Sequence, residues 1–143
     1  ILDETLIFVK TKLQEFEIEL KIEQNPEEQF LIDCKPNEIS QVLIKLINNA
    51  IRVAAELKED WIKITIEKVD NNLKVRIIDP GKGISEELCE KIFQPFFSTS
   101  EIGEGTGLGL SISHSIISDH KGDLIYEFDG HHTNFVITLP LCV

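Results

Sequence analysis

Glu104-Gly105-Thr106-Gly107-Leu108-Gly109-Leu110-Ser111-Ile112 decides the reading of this chain. Three glycines alternate with Thr and Leu, and a helix-like apolar pattern begins at Leu110. A polyanion needs backbone N–H groups that converge on it without a Cβ in the way. A glycine-rich turn feeding a helix N-terminus supplies them, and the helix dipole adds attraction. Ordinary loops use such turns too, so the stretch takes its meaning from three elements upstream. Asp79-Pro80-Gly81-Lys82-Gly83-Ile84 has the pattern D-x-G-x-G. Phe93-Gln94-Pro95-Phe96-Phe97 is an aromatic cluster, and Asn48-Asn49-Ala50 closes a helical run that starts near Glu38.

The hydrophobic periodicity around these elements predicts an α/β chain. Asp3 to Glu15 reads as a helix with Leu2, Leu6, Val9 and Leu13 on one side. Ile18 to Ile22 alternates strictly and reads as a strand, and Phe30 to Cys34 as a second short one. Pro36-Asn37 starts a helix whose apolar face carries Ile39, Val42, Leu43, Leu46, Ile47, Ala50 and Ala54. Trp61 to Val69 and Leu73 to Ile78 are strands joined as a hairpin at Asp70-Asn71-Asn72. Ser85 caps a helix that ends near Phe93, and Gln94 to Gly105 has no period and reads as a mobile loop. Gly107 to Asp119 is helical, and Gly122 to Phe128 and Thr133 to Leu139 close the fold around a turn at Asp129-Gly130. The expected architecture is a two-layer sandwich: a mixed, mostly antiparallel sheet of about five strands with helices on one face.

A length of 143 residues suits one domain, expected to run from 1 to 143. No long uncharged apolar run marks a transmembrane helix or signal peptide. The chain begins at Ile1 and contains no Met, so it is expected to be a piece of a longer polypeptide whose membrane anchoring is open. The net charge of −11 argues against nucleic acid as a partner. Cys34, Cys89 and Cys142 are odd in number and lack a CxxC pair, which predicts buried free thiols in a reducing cytosol.

Two sets of residues carry chemistry. At about 100° per residue, Lys45, Asn49 and Arg52 fall along one edge of the helix from Glu38, beside its apolar face. An amide oxygen there can ligate Mg²⁺, which takes hard oxygens and shares them with phosphates, and a cation one turn along can meet the phosphates. Asp79 stands at a strand end before two glycines. Its carboxylate can accept from an exocyclic amine, selecting adenine over guanine, while Gly81 and Gly83 let the backbone pass close to a flat base. The plain alternatives are a solvated helix edge and a strand-to-helix turn.

Taken in order, the four elements resemble the N, G1, F and G2 boxes of the sensor histidine kinase ATP-binding domain. That domain belongs to the wider Bergerat-fold group with gyrase B, Hsp90 and MutL, from which the aromatic box separates it. The resemblance covers nearly the whole chain and implies ATP and Mg²⁺ as cofactors. It implies Mg²⁺ on Asn49, phosphates near Arg52, adenine at Asp79 with Gly81, Gly83 and Ile84, and phosphate contacts along Gly105, Thr106, Gly107, Leu108 and Gly109. Ser98, Thr99 and Ser100 with Gly103 and Gly105 would form a lid over the nucleotide, with Phe93, Phe96 and Phe97 at its base. Thr133 aligns with a Gly-Thr element that reaches the adenine pocket, although His132 stands where relatives have Gly.

Lys45 departs from the pattern. Relatives usually have Asn there, and hydrolytic members of the group have a Glu that activates water. A protonated Lys cannot be that base. It can add a phosphate contact or point to solvent. The resemblance further implies a phosphate acceptor on an upstream dimerising helical hairpin. His114, His120, His131 and His132 all follow the Asn49 helix, so the acceptor is expected outside this chain. A homodimer in the full-length protein, a monomeric isolated domain, a response-regulator receiver domain as partner and a cytoplasmic location are implied with it. The P-loop pattern and the H-R-D and D-F-G motifs are absent. Three readings follow: a kinase catalytic domain, a nucleotide-binding module that has lost catalysis and bears Lys45 as its mark, and a hydrolytic ATPase, which the missing Glu disfavours.

Overall fold

A computed structural model describes residues 2–25, 30–84, 89, 91–94 and 107–142. Helix α1 spans Leu2–Glu15 and is followed by strand β1, Glu19–Gln24. Helix α2 (Pro36–Glu56) leads to the hairpin of β2 (Trp61–Val69) and β3 (Asn72–Asp79). Helix α3 (Gly107–Asp119), β4 (Asp123–Phe128) and β5 (Thr133–Pro140) complete the described elements. The sheet order is β1-β2-β3-β5-β4. β1 runs parallel to β2, and every other pairing is antiparallel. The mixed five-stranded sheet is therefore as the sequence pattern predicts.

Alternation explains which face the helices cover. On β3, Leu73, Val75, Ile77 and Asp79 are buried, while the residues between them are half-exposed. Their partners on β5 are Leu139, Ile137, Phe135 and Thr133. Ile62 and Ile64 of β2 and Leu124 of β4 extend the same apolar surface. Onto it α2 presents Ile39, Val42, Leu43, Leu46, Ile47, Ala50, Ile51 and Ala54, and α3 adds Ile116 and Ile117. Ile51 joins the face predicted for this helix. α1 packs on α2 through buried Val9 and a Thr5–Ser40 hydroxyl hydrogen bond of 3.0 Å.

The opposite face of the sheet is polar. There an Arg76–Glu127 ion pair of 2.8 Å reaches from β3 to β4 across β5, and Val136 beneath it is fully buried. The span replaces a second helical layer at that point with the aliphatic stem of an arginine. α2 starts at Pro36 with Lys35 as an N-cap that makes no side-chain cap bond. Its backbone N–H is instead met by His120 Nε2 at 3.0 Å, while His120 Nδ1 faces the carbonyl of Ile116 at 2.7 Å. The end of α3 is thus tied to the start of α2.

Two expectations need correction. Phe30 to Cys34 is not a strand. Phe30, Ile32 and Cys34 do turn toward the core and Leu31 and Asp33 outward, so the period of two is real. The segment is not part of the described sheet, and the Cys142 N–H bonds to its Leu31 carbonyl at 2.8 Å. Nor are the cysteines all buried: Cys142 is exposed, and Cys34 and Cys89 are half-buried. The predicted helix from Ser85 lies largely outside the described residues, of which Cys89 is helical and Lys91 to Phe93 form a turn. The predicted loop lies outside them from residue 95 on.

Ile77 sits at the centre of the core with no exposed surface, whereas Ile7 on α1 is 72% exposed. Ile77→Ala is expected to lower unfolding stability by about 2–5 kcal/mol, and Ile7→Ala to change it by less than about 0.5 kcal/mol. Urea denaturation of the two variants checks this.

Candidate functional site

β3 ends at Asp79, which the alternation of the strand turns to the helix side, where it is 1% exposed. The β3–β5 register sets it opposite Thr133, also buried. The chain then turns back, and the Gly81 N–H donates to Asp79 Oδ1 at 2.7 Å. A Cβ on residue 81 would stand 2.6 Å from Asp79 Oδ1, 2.9 Å from Thr133 Oγ1 and 3.2 Å from Val53 Cγ1 of α2. The close approach of β3, β5 and α2 at this point is therefore possible only because residue 81 lacks a side chain. Gly83 has φ of +98°, a backbone conformation that other residues adopt at a cost, and Phe128 lies against it.

A carboxylate so enclosed has lost most of its water. Burial pushes the Asp79 carboxyl up from the ordinary 3.8 to about 6, against the Gly81 N–H and the Arg52 guanidinium, which both favour the charged form. An acceptor of this kind, held by one backbone donor, is suited to a further donor from a ligand.

Arg52 and Asn49 are brought together on α2. The Arg52 Nη2 donates to Asn49 Oδ1 at 2.6 Å, and Nη1 stands 3.7 Å from Glu56 Oε1. Asn49 Oδ1 is the hard oxygen on this edge, and the guanidinium holding it is the nearby cation that could be exchanged for a metal. The neighbouring Asn48 turns elsewhere, with Oδ1 buried and no hydrogen-bond partner among the described residues. Lys45 is exposed and lines a groove between α1 and α2 with Glu4, Phe8 and Gln41.

Ile84 follows the loop, its N–H donating to Tyr126 Oη at 2.6 Å. Gly107, Leu108 and Gly109 form the first turn of α3, whose leading N–H groups have no partner within the helix. Thr99, Gly105 and Thr106 lie outside the described residues, as do Phe96 and Phe97. Phe93 is described and packs between His114 of α3, with ring centroids 5.2 Å apart, and Phe135 of β5, at 6.4 Å. His131 and His132 belong to the β4–β5 turn, where both N–H groups donate to Asp129 Oδ1 at 2.8 and 2.6 Å. Sequence reasoning missed Val53, Tyr126 and Phe128. Each meets the loop from a distant stretch of chain, and only the strand order brings β4 there.

The donor set fits a purine nucleotide with a divalent cation: an enclosed carboxylate, a backbone at Gly81 with no Cβ in the way, and an amide oxygen beside a guanidinium. A family profile described as histidine kinase-, DNA gyrase B- and HSP90-like ATPase matches residues 34–143, and the chain belongs to that family of ATP-binding domains. Within it, the similar proteins are sensor kinases. Sporulation kinase E of Bacillus subtilis (strain 168) is 38% identical over 112 residues, covering 77% of this chain and 15% of that protein. The sensor histidine kinase ZraS of Escherichia coli (strain K12) is 31% identical over 145 residues, covering 99% of this chain and 30% of that protein. The chain thus spans less than a third of either. The nucleotide-free catalytic domain of histidine kinase ThkA superposes with a TM-score of 0.82 at 35% identity, over 96% of this chain and 88% of that one. The α/β fold is that of a histidine kinase catalytic domain.

Because the folded Asp79 binds its proton more tightly than the unfolded one, its contribution to stability is full below pH 4 and lost as pH rises through about 6. Asp79→Asn keeps an acceptor for Gly81 but no charge. It is expected to stabilise the ligand-free protein by about 1–2 kcal/mol at pH 7.5 and by much less at pH 4.5. Thermal unfolding at the two pH values reads the difference.

Proposed function

We propose that this chain is the ATP-binding catalytic part of a two-component sensor histidine kinase. It delivers the γ-phosphate of ATP to a histidine on an upstream dimerisation domain, from which a response-regulator receiver domain takes it. The supporting observation is the meeting of the buried Asp79 carboxylate, the Cβ-free backbone of Gly81 and Thr133 beside the Asn49–Arg52 edge of α2. In this reading Asp79 accepts from the adenine amino group, with Thr133 beside it and Gly81, Gly83 and Ile84 forming the wall along the base. Gly107 to Gly109, with Gly105, Thr106 and Leu108, offer backbone N–H groups to the phosphates, and Thr99 belongs to the lid. When bound, Mg²⁺ neutralises charge on the phosphate oxygens. Asn49 supplies its oxygen ligand, and Arg52, released from Asn49, turns to the phosphates.

Phosphoryl transfer is largely positioning and charge neutralisation. The bond from the γ-phosphorus to the bridging oxygen breaks, a bond to an imidazole nitrogen forms, and ADP leaves. An imidazole attacks through its own lone pair, so no carboxylate base is required on α2. That accords with Lys45 at a position where water-activating relatives carry Glu. The full-length protein is read as a homodimer with this domain on the cytoplasmic side, whether or not the parent is anchored in a membrane, and the isolated segment 1–143 as one monomeric unit. No described helix is long and apolar enough to cross a membrane. Lys45 also motivates the second reading, a degenerate module that binds nucleotide and signals by conformation alone.

Three outcomes are expected. With radiolabelled ATP, label should reach the histidine segment of the same protein only when this domain is added in trans. Binding without transfer would favour the degenerate module, and fast hydrolysis by the domain alone would overturn both. In calorimetry Asn49→Ala should keep adenosine affinity and lose the Mg²⁺ dependence of ATP affinity. ATP affinity of the unaltered domain should fall as pH drops through about 6, because a protonated Asp79 is a weaker acceptor for the base than the carboxylate.

A further inference from the structure

The loop that follows Asp79 has no regular partner of its own, yet two aromatic side chains of β4 meet it. Tyr126 and Phe128 are two residues apart on that strand and so project from the same face. The Phe128 ring lies against Gly83, where a Cβ would come within 3.0 Å of it. The Tyr126 hydroxyl accepts the Ile84 N–H at 2.6 Å. Its ring in turn sits edge-on to Phe135 of β5, with centroids 5.9 Å apart, and Phe135 meets Phe93. The phenol oxygen is thus fixed from behind by packing in the core.

We propose that Tyr126 is a positioning residue for nucleotide binding: its hydroxyl pins the Gly81–Ile84 loop and so fixes the wall along which the adenine ring lies. The inference rests on the assignment of adenine to Asp79. Asp79 is held by its strand, and the loop beyond it by a few contacts: the Gly81 bond to Asp79, the Phe128 ring against Gly83, and at Ile84 the Cys89 Sγ bond to the carbonyl and the Tyr126 bond to the N–H. The Tyr126 bond is the one that fixes the Ile84 N–H, and losing it loosens the wall along which the base would lie. The hydroxyl touches the loop and not the carboxylate, so its removal should weaken every adenine-containing ligand by the same factor. Phosphate and metal contacts, which come from α2 and α3, should be unaffected.

Tyr126→Phe deletes the oxygen and keeps the ring on Phe135. ATP with Mg²⁺ and adenosine alone are expected to lose about five- to tenfold in affinity each, the worth of one hydrogen bond. The Mg²⁺ dependence of ATP binding should be unchanged. Because Tyr126 is the one tyrosine in the sequence, 3-fluorotyrosine incorporation gives a single ¹⁹F resonance. That resonance should shift when adenosine is added to the protein with its hydroxyl intact, which also tests the idea if the Phe variant folds poorly. Unchanged adenosine affinity in a folded Tyr126→Phe protein, or a resonance indifferent to saturating adenosine, would overturn the positioning role. Absence of any ATP or adenosine binding by the unaltered protein would instead overturn the site assignment beneath it, and the two failures are thereby separated.

Discussion

Everything at this site depends on a carboxylate buried where water cannot compensate it. Asp79 lies on the helix-facing side of β3, in line with Leu73, Val75 and Ile77. The strand's alternation therefore places a polar residue where the pattern calls for an apolar one. Burying an acceptor costs several times what one backbone bond returns. The structure limits the cost with the Gly81 N–H and with Arg52 nearby. The remainder persists in the ligand-free protein as a site that is better satisfied when a donor arrives. The turn at Gly81, the Thr133 register and the Val53 contact all close in on the carboxylate from different elements.

α2 links this constraint to the rest of the fold. One face of the helix fills the core and the adjoining edge carries Asn49 and Arg52. The distance between that edge and the end of β3 is thus set by apolar packing, which is dense and resists small displacements. The Asn49–Arg52 bond keeps the amide oxygen and the guanidinium satisfied against each other in the absence of ligand. Such local pairing at a partly exposed edge is cheap to exchange, because each group finds water when it parts.

Much of this could be read from the chain in order. Period 3.6 over the α2 stretch and the strand runs of β2, β3 and β5 indicate the layers. Asp79 stands out through its place at a strand end just before two glycines, in the pattern D-x-G-x-G. What escaped was what depends on strand order. Tyr126 lies 42 residues from Ile84 in sequence, and nothing in either neighbourhood announces that β4 flanks β5 and reaches the loop. Phe30 to Cys34 misled for the complementary reason. Alternating burial shows that one side of an extended chain faces the core, and it says nothing of whether a neighbouring strand offers a ladder.

The tie between α3 and α2 restricts what can replace His120. One ring nitrogen must present a lone pair to the Lys35 N–H while the other presents a hydrogen to the Ile116 carbonyl. The ring is therefore a connector with fixed polarity, acceptor at Nε2 and donor at Nδ1. Lysine or arginine would bring donors only, and glutamate or aspartate acceptors only, so either class would leave one helix end unmet. Amide and hydroxyl side chains share the mixed character, but they do not place donor and acceptor on opposite sides of a rigid ring. Position 120 thus tolerates few substitutions for reasons unconnected with phosphate chemistry, and an unvarying histidine there among relatives would be a mark of architecture, easily mistaken for an acceptor.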